Sequence, residues 1–465
     1  MNNLMTGCVL AVLTLFPLTD TLAIEAPPEL GTPRNVTIPA KIRFSLDNGL
    51  NATLVPFGDV PKVAILARVR TGNLNEDGRT WLADLATDLM KEGTENYDAR
   101  ALAQAAARLG GALSIGVGSE TTTVSIDVLS EFGPEAVALV AEVLQRPVFP
   151  ESELPRIRQD FLRALAVSRS QPQALGAEAF SELVYPGHVF GTMFPTEEEL
   201  NSYTIEDARA YYGENFGAKR TRIYVSGVFD EATIEEAIRS EFAGWKAGPD
   251  VYTDIPSPVT AAQGEFIDRP DAVQSNILLG LPVPDVSNPD YTRLQFTNNL
   301  FGSAGFLSRL IQNIREDKGY AYSPRSGISS HYRDAIWQLS ANVDTESTGP
   351  ALTEIFHEIR RMRDELPTDE EMILIGNYRA GVFTLANASR GGVLGTIAYM
   401  DFHDLPDSWL ENYVERFLAV TAEQVRETAR AYLSIDGMTL VVVGDGAAVK
   451  SQLESVPEAE RMEGL

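Results

Sequence analysis

Side chains that bind transition metals are scarce in this sequence. Its 465 residues include one cysteine, Cys8, and four histidines, His188, His331, His357 and His403. A single cysteine forms no disulfide within the chain and no multi-thiolate metal site. No two histidines lie two to four residues apart, the spacing that paired metal ligands commonly show. We therefore expect no metal on this chain from cysteine or histidine chemistry.

Basic residues are also few. The chain has 38 Lys and Arg against 65 Asp and Glu, a net charge of −27. Without a basic stripe to neutralise phosphates, nucleic-acid binding is not expected. The acid excess predicts a solvated surface, and it would attract basic partners or peptides. The hydrophobic share of 44% and the charged share of 22% are typical of a soluble globular protein.

No apolar run at the N terminus is long enough to span a bilayer. Residues 8–18 are apolar and are followed by Thr21-Leu22-Ala23, a small-residue sequence of the kind that signal peptidases cleave. We predict a signal peptide over residues 1–23 and export to the periplasm, although no Lys or Arg precedes Arg34. Cleavage would also remove Cys8.

Local signals recur at a nearly constant interval along the chain. Three pairs of matching residues lie 217 positions apart: Pro150 and Pro367, Thr204 and Thr421, and Gly227 and Gly444. A constant interval across unrelated signals indicates an internal duplication. The chance recurrence of common helix starts is the alternative.

The duplication predicts two domains of the α+β class, each a mainly antiparallel sheet backed by helices. We place the first domain at residues 36–246 and the second at residues 264–465. Residues 247–263 contain three prolines and few large apolar side chains, and they predict an extended linker.

Residues 81–94, WLADLATDLMKEGT, have apolar residues at helical spacing. This segment resembles the metal-binding helix of the insulinase/pitrilysin family, which typically reads GLAHLLEHMLFKGT. In those peptidases an H-x-x-E-H motif supplies two imidazoles to zinc and a catalytic carboxylate. Asp84, Thr87 and Asp88 stand at the three motif positions here. The resemblance therefore implies a peptidase domain whose zinc motif is degenerate.

The remaining ligand of the family's zinc site is also missing. The resemblance places a distal Glu on a helix over residues 154–169, within residues 161–166, and that window contains no acid. Asp84 and Asp88 share one helix face, but two carboxylates are poor zinc ligands and too few oxygens for calcium. An unconventional metal held by these two acids, in a peptidase that acts alone, is an alternative that the sequence disfavours.

The second half carries an intact motif. Residues 299–310 and 314–323 read NLFGSAGFLSRL and IREDKGYAYS, and they are similar to the family's C-terminal signature of a Gly-rich turn, a helix and a strand. We predict that Leu307, Leu310, Ile311 and Ile314 bury one face of the helix. Gly319 would end that helix, with Arg315 in its last turn and Tyr322 just inside the following strand.

Arg315 and Tyr322 both carry hydrogen-bond donors, and a peptide carbonyl or a developing oxyanion would accept from such groups. In catalytic members of the family the matching Arg and Tyr act on substrate, so the resemblance implies substrate binding by Arg315 and Tyr322. The alternative is structural, with Arg315 complementing the helix dipole and Tyr322 filling the edge of a core.

The resemblance implies a non-catalytic subunit of a heterodimeric zinc metallopeptidase, similar to mitochondrial processing peptidase and its bacterial relatives. A homologous partner subunit with H-x-x-E-H would bring the zinc, and this chain would hold no cofactor. The two subunits would enclose a chamber for unfolded peptides, which bind by strand addition to a sheet edge. A purely structural subunit, without a role in proteolysis, is the alternative.

Overall fold

Two sheets of the same design form the centre of the described chain. The computed structural model describes residues 33, 37 and 40–465. The predicted signal peptide and Cys8 lie outside the described residues. The N-terminal sheet consists of β1 Ile42–Ser45, β2 Asn51–Pro56, β3 Lys62–Val69, β4 Ser114–Val117, β5 Thr122–Leu129 and β6 Thr221–Gly227. The C-terminal sheet consists of β7 Gln263–Asp268, β8 Gln274–Pro282, β9 Arg325–His331, β10 Asp334–Asp344 and β11 Thr439–Gly444.

The strand order confirms the predicted duplication. The N-terminal order is β1-β2-β6-β3-β5-β4, and the C-terminal order is β7-β11-β8-β10-β9. Without β1, the two orders correspond strand for strand. The parallel pair β2–β6 matches the parallel pair β7–β11, and every other neighbouring pair in both sheets is antiparallel. Two mainly antiparallel sheets with helices are the α+β architecture expected from the sequence.

Helices cover both sheets. Those before β7 are α1 Leu82–Lys91, α2 Ala99–Arg108, α3 Gly133–Gln145, α4 Leu154–Ser170, α5 Pro172–Val184, α6 Glu197–Ser202, α7 Ile205–Asn215 and α8 Glu231–Phe242. Those after β8 are α9 Tyr291–Asn298, α10 Thr348–Asp364, α11 Asp369–Ala386, α12 Arg390–Phe402, α13 Asp407–Glu411, α14 Tyr413–Leu418, α15 Ala422–Tyr432, α16 Gly446–Leu453 and α17 Pro457–Glu460. Residues 299–303 and 311–317 are π-helical. No helix in residues 40–465 is both long and apolar enough to cross a membrane.

Matching caps begin the two helices that the repeat had linked. The hydroxyl of Thr204 accepts a hydrogen bond from the Asp207 amide at the start of α7, and the hydroxyl of Thr421 accepts one from the Gln424 amide at the start of α15. Both are capping boxes, in which the side chain of the third helical residue also accepts a hydrogen bond from the backbone amide of the cap residue. The predicted helix starts at Thr204 and Thr421 are confirmed.

One helix of each half packs on the sheet of the other half. In α5, Phe180 and Val184 pack against Leu278 and Val441 of the C-terminal sheet. Helix α12 packs on the N-terminal sheet in the same way, through the cluster Val55, Ala64, Tyr224, Val393, Leu394, Ile397 and Ala398. Full burial of one large apolar side chain stabilises a fold by about 1.5–3 kcal/mol. The exchange of α5 and α12 therefore ties both halves into one compact unit, residues 33–465.

Residues 247–262, within the predicted linker, contain neither helix nor strand. The boundaries drawn at residues 36, 246 and 264 remain predictions.

Candidate functional site

The degenerate motif lies on α1, as its apolar spacing predicts. The buried face of the helix consists of Leu82, Leu85, Leu89 and Met90, with the small residues between them. This face packs into the N-terminal core, Thr87 is buried with it, and Asp84 and Asp88 are only partly buried.

Trp81, the residue before α1, has an unusual backbone. Its φ is +68° and its ψ is 13°, the left-handed region that favours glycine. Its indole packs edge-on against Phe161 and Phe194, with both ring centroids 5.9 Å away, and its Nε1 donates to the carbonyl of Met193. Family members read Gly at this position, and the aromatic contacts hold the bulkier residue in a backbone conformation that suits Gly.

The three motif positions make contacts within the protein. Asp84 accepts a hydrogen bond from Asn73 at 2.8 Å, and burial raises the pKa of its carboxyl. Asp88 forms an ion pair with Lys91 at 2.6 Å. The Thr87 hydroxyl is buried and has no hydrogen-bond partner among the described residues. None of the three therefore offers the nitrogen or sulfur donor that zinc prefers.

The distal helix gives no replacement ligand. It is α4, and Asp160, the acid nearest to residues 161–166, turns outward to pair with Arg156 and Arg163. Phe161 instead faces the Trp81 indole. Two aromatic rings thus meet between the helices that hold zinc in the family's catalytic members.

Zinc does not fit this arrangement. In residues 40–465 no three His, Cys, Asp or Glu side chains lie close enough together to hold a metal ion. The motif positions offer two carboxylates and a hydroxyl, which already have internal partners or are buried. No catalytic step can be derived through a metal at this helix.

A buried acid at this site escaped the sequence analysis. Glu76 is 2% exposed, and its carboxyl accepts hydrogen bonds from Asn73 and from the backbone amides of Trp81 and Ala83. Burial raises the pKa of Glu76 to about 8. Trp81 provides no side-chain cap for α1, so Glu76 satisfies amides at the start of the helix from five residues upstream. The sequence signal for such an acid is Trp81 itself, a residue without a capping side chain directly before an amphipathic run.

A cavity of about 390 Å³ lies beside these groups, between the two halves. Glu76, Trp81 and Asp84 line it from the first half, and Ser329 and His331 line it from β9 of the second half. The degenerate helix therefore faces residues of the C-terminal half as well as its own.

The histidines have separate local environments. His188 Nδ1 accepts a hydrogen bond from the Phe190 amide within the same loop. His331 stacks on Phe190 at 3.9 Å and lies 3.2 Å from Glu120. His403 is buried, and burial lowers its pKa to about 4; His357 is exposed on α10.

Arg315 and Tyr322 lie together, and Arg315 is in the last turn of the helix, as the sequence predicts. The guanidinium lies 4.6 Å above the Tyr322 ring and 4.7 Å from the Phe306 ring, and its Nη1 donates to the Tyr322 carbonyl at 3.1 Å. Gly319, at φ +68°, reverses the chain between them and lets the amide of Tyr320 bond back to the helix. Tyr322 remains 78% exposed.

Two local predictions about this motif are wrong. Tyr322 lies three residues before β9, because Pro324 has no amide hydrogen to donate and the ladder starts at Arg325. Leu307 is 38% exposed in a short 3-10 turn, so the buried face consists of Leu310, Ile311 and Ile314 only. The helix itself is π-helical over residues 311–317, which changes the side-chain spacing that an α-helix would give.

The Arg315 and Tyr322 site still has free donors. Nε of Arg315 is paired with Glu316 at 3.1 Å, and one Nη1 hydrogen is used on the Tyr322 carbonyl. The structure gives Nη2 and the Tyr322 hydroxyl no hydrogen-bond partner within residues 40–465. Guanidinium and phenol donors side by side can bind a peptide carbonyl or a carboxylate.

Comparison with known proteins identifies the class to which this fold and site belong. Residues 59–192 match the family model described as Insulinase (Peptidase family M16), and residues 202–375 match the model described as Peptidase M16 inactive domain. The chain belongs to the M16 family, and the resemblance drawn from its motifs is confirmed.

Individual relatives carry differing descriptions. An uncharacterized zinc protease of Rickettsia felis is 26% identical over 334 residues, which cover 70% of this chain and 79% of that protein. A non-peptidase homolog, YmxG of Helicobacter pylori, is 19% identical over 381 residues, 80% of this chain and 87% of that one.

Solved structures share the fold. A Pseudomonas fluorescens structure described as a peptidase M16 inactive domain has a TM-score of 0.82 at 22% identity and covers 88% of this chain and 99% of its own. A protease from Helicobacter pylori has a TM-score of 0.81 at 18% identity and covers 88% of this chain and 100% of its own.

Proposed function

We propose that this chain is the non-catalytic subunit of a heterodimeric M16 zinc peptidase. A homologous partner with H-x-x-E-H would hold the zinc, the general base and the nucleophilic water. This chain would supply Arg315, Tyr322 and half of the peptide chamber. The observation that carries the proposal is the contrast between the two motifs. Asp84 and Asp88 have internal partners and Thr87 is buried, beside packed aromatic rings, whereas Tyr322 is exposed and neither its hydroxyl nor the Arg315 Nη2 has a partner among the described residues.

The geometry of the pair suits a carbonyl oxygen that gains charge. Arg315 is held between the Phe306 and Tyr322 rings, so less side-chain entropy is lost when it binds a substrate. Fixed donors around a developing oxyanion are among the largest contributions to catalysis, typically 10²–10³-fold for one donor. In the assembled enzyme Arg315 and Tyr322 would bind the carbonyl oxygen of the peptide bond that is cleaved at the partner's zinc.

Peptides would bind in extended form at a sheet edge. Strand β4 is one of the two outer strands of the N-terminal sheet and the one next to α1, and Ser114 and Gly116 are exposed on it. An outer strand offers main-chain donors and acceptors, so affinity would depend little on sequence. We also propose that the two subunits work in the periplasm, and the apolar run over residues 8–18 supports this location. Cell fractionation tests it.

The test compares peptidase activity of the purified chain, of a partner bearing H-x-x-E-H, and of their mixture. We expect zinc-dependent cleavage of unfolded peptides only in the mixture. Arg315→Ala or Tyr322→Phe in this chain should each lower kcat about 10²-fold, the typical effect of one oxyanion donor. Arg100→Ala and Tyr252→Phe, on exposed side chains away from the site, are the matched controls and should leave kcat unchanged.

Two outcomes would contradict the proposal. Zinc-dependent cleavage by the chain alone would mean that it is itself a peptidase. Full activity of the mixture with Arg315 and Tyr322 both substituted would favour the purely structural subunit. In a purely structural subunit, Arg315 would serve only its internal bonds, to Glu316 and to the Tyr322 carbonyl.

A further inference from the structure

A second cavity adjoins Tyr322 on the face of the C-terminal sheet that α5 partly covers. Its volume is about 530 Å³, within the range of about 300–1,000 Å³ that small-ligand sites occupy. Five amide side chains line it, and we call it the amide pocket: Gln173, Gln274, Asn276, Gln338 and Asn342.

The strands explain why so many amides share one face. Side chains alternate along a strand, and Asn276 of β8 lies directly opposite Asn342 of β10. The residues that alternate with the lining residues along each strand, such as Ile277 of β8 and Leu339 of β10, point to the opposite face and are fully buried in the C-terminal core. A polar face of this kind normally meets water, but here α5 passes beside it and forms a wall of the pocket.

Hydrogen bonds fix part of the amide array. Asn342 Oδ1 accepts from Asn276 Nδ2 at 2.9 Å and from Gln173 Nε2 at 3.2 Å. Those two donors orient all three amides. Asn276 is 3% exposed, and its own Oδ1 is buried with no partner in the described chain. The floor of the pocket is therefore preorganised.

The pocket differs in charge from the rest of the protein. No Asp or Glu lines it, although the chain has 65 of them, and its one charged side chain is Arg325. A basic side chain entering this space would lose water without gaining a counter-charge. An apolar side chain would leave the amides unpaired, which sites built for hydrogen bonding reject strongly. An acidic one would meet a single cation, Arg325, which is exposed to water, and it would be opposed by the protein's net charge of −27.

We infer that the amide pocket is a subsite for uncharged polar side chains, chiefly Gln and Asn, of a peptide held at Arg315 and Tyr322. Primary amides both donate and accept, so they complement an amide lining without any change in charge. The inference rests on the proposed function for the peptide ligand, and it names the substrate class. It also runs against the preference for basic peptides that the overall charge predicts.

The experiment measures peptide binding to the purified full-length chain alone, by fluorescence anisotropy. Four labelled peptides with the sequence GSGXXGSG carry Gln, Lys, Leu or Glu at both X positions. We expect the Gln peptide to bind at least about tenfold more tightly than each of the other three. Binding of the Lys, Leu or Glu peptide as tightly as the Gln peptide, or no binding of any peptide, would overturn the inference.

A charge substitution reverses the expected preference. Gln338→Glu is nearly isosteric and places a carboxylate in the pocket, so the Lys peptide should become the tightest ligand, by about tenfold. Gln104→Glu makes the same change on the exposed face of α2 and should leave the order of the four peptides unchanged. If Gln338→Glu proves unfolded by circular dichroism, Ser340→Asp makes the same test on a neighbouring lining position. An unchanged preference in the folded pocket variant would overturn the inference.

Failure of this inference and failure of the proposed function are distinguishable. The binding assay needs no partner, zinc or cleavage, whereas the proposed function is tested by activity of the mixture. A mixture that depends on Arg315 and Tyr322, together with a chain that binds all four peptides equally, would keep the function and remove the subsite. A Gln preference without such a dependence would keep the subsite and remove the function.

Discussion

The backbone of Trp81 leads to an unusual expectation for substitutions at this position. Gly in place of Ala normally destabilises a helix by about 0.5–1 kcal/mol. At Trp81 the φ of +68° should reverse that order, because only Gly adopts this conformation without strain. We therefore expect Trp81→Gly to be more stable than Trp81→Ala.

The size of the effect follows from two opposing terms. A non-glycine residue in the left-handed region costs about 1–2 kcal/mol, and Gly removes that cost. Gly also adds entropy to the unfolded chain, which offsets about 0.4–1 kcal/mol of the gain. The Gly variant should thus exceed the Ala variant by about 1 kcal/mol. Both should be less stable than the wild type, by up to about 3–5 kcal/mol, since both lose the packing on Phe161 and Phe194.

The measurement is the free energy of unfolding from urea titrations of the three proteins under identical conditions. Gln104→Gly and Gln104→Ala, on the exposed face of α2, provide the matched control and should show the ordinary order, with Ala more stable. If Trp81→Ala equals or exceeds Trp81→Gly in stability while the control pair behaves normally, the left-handed strain at Trp81 is absent and the reasoning is refuted.

Two further predictions concern buried groups. Because the pKa of Glu76 is raised to about 8 in the folded state, the folded protein binds an extra proton between pH 4.5 and 8, and its stability should fall as pH rises through that range. Glu76→Gln should remove much of that slope, as measured by urea midpoints at pH 5 and pH 8; an equal slope in both proteins would contradict the assignment. Gly176→Ala would place a Cβ 2.9 Å from Asn276 Oδ1 and should destabilise the fold by about 1–3 kcal/mol, as α5 is pushed from the C-terminal sheet. Gly213→Ala, on α7 with open space around it, is the control in thermal melts and should cause no loss; equal melting shifts for both variants would contradict close packing of α5.

Local patterns predict the elements of this fold well. Helix α1 appears where hydrophobic periodicity places it, and the capping residues Thr204 and Thr421 begin helices at the interval of the repeat. Each of these signals is carried by residues within about one helical turn or one strand. The duplication also follows from sequence, because it preserves such signals at a constant interval.

Features that depend on distant contacts were not predictable from one sequence. Helices α5 and α12 each pack on the sheet of the other half. Apolar spacing shows that a helix has a buried face, but it cannot show which sheet covers that face. The buried position of Glu76 depends on backbone amides that only the folded loop presents. No composition signal marks the π-helical turn before Gly319, and Leu307 lies outside it, in a separate 3-10 turn where it is 38% exposed.

The strain at Trp81 bears on whether a zinc site could be built at α1. A residue in a costly conformation persists only where its surroundings outweigh that cost. Here the compensation comes from Phe161, at the edge of the window of residues 161–166 where the resemblance expects a zinc ligand, and from Phe194. Restoring His, Glu and His at residues 84, 87 and 88 would therefore leave an aromatic pair between the helices and no distal ligand. We expect such a triple variant to bind zinc weakly unless Trp81→Gly and Phe161→Glu accompany it, and equilibrium dialysis against zinc compares the two. Tight zinc binding by the triple variant alone would mean that the aromatic pair does not close the site.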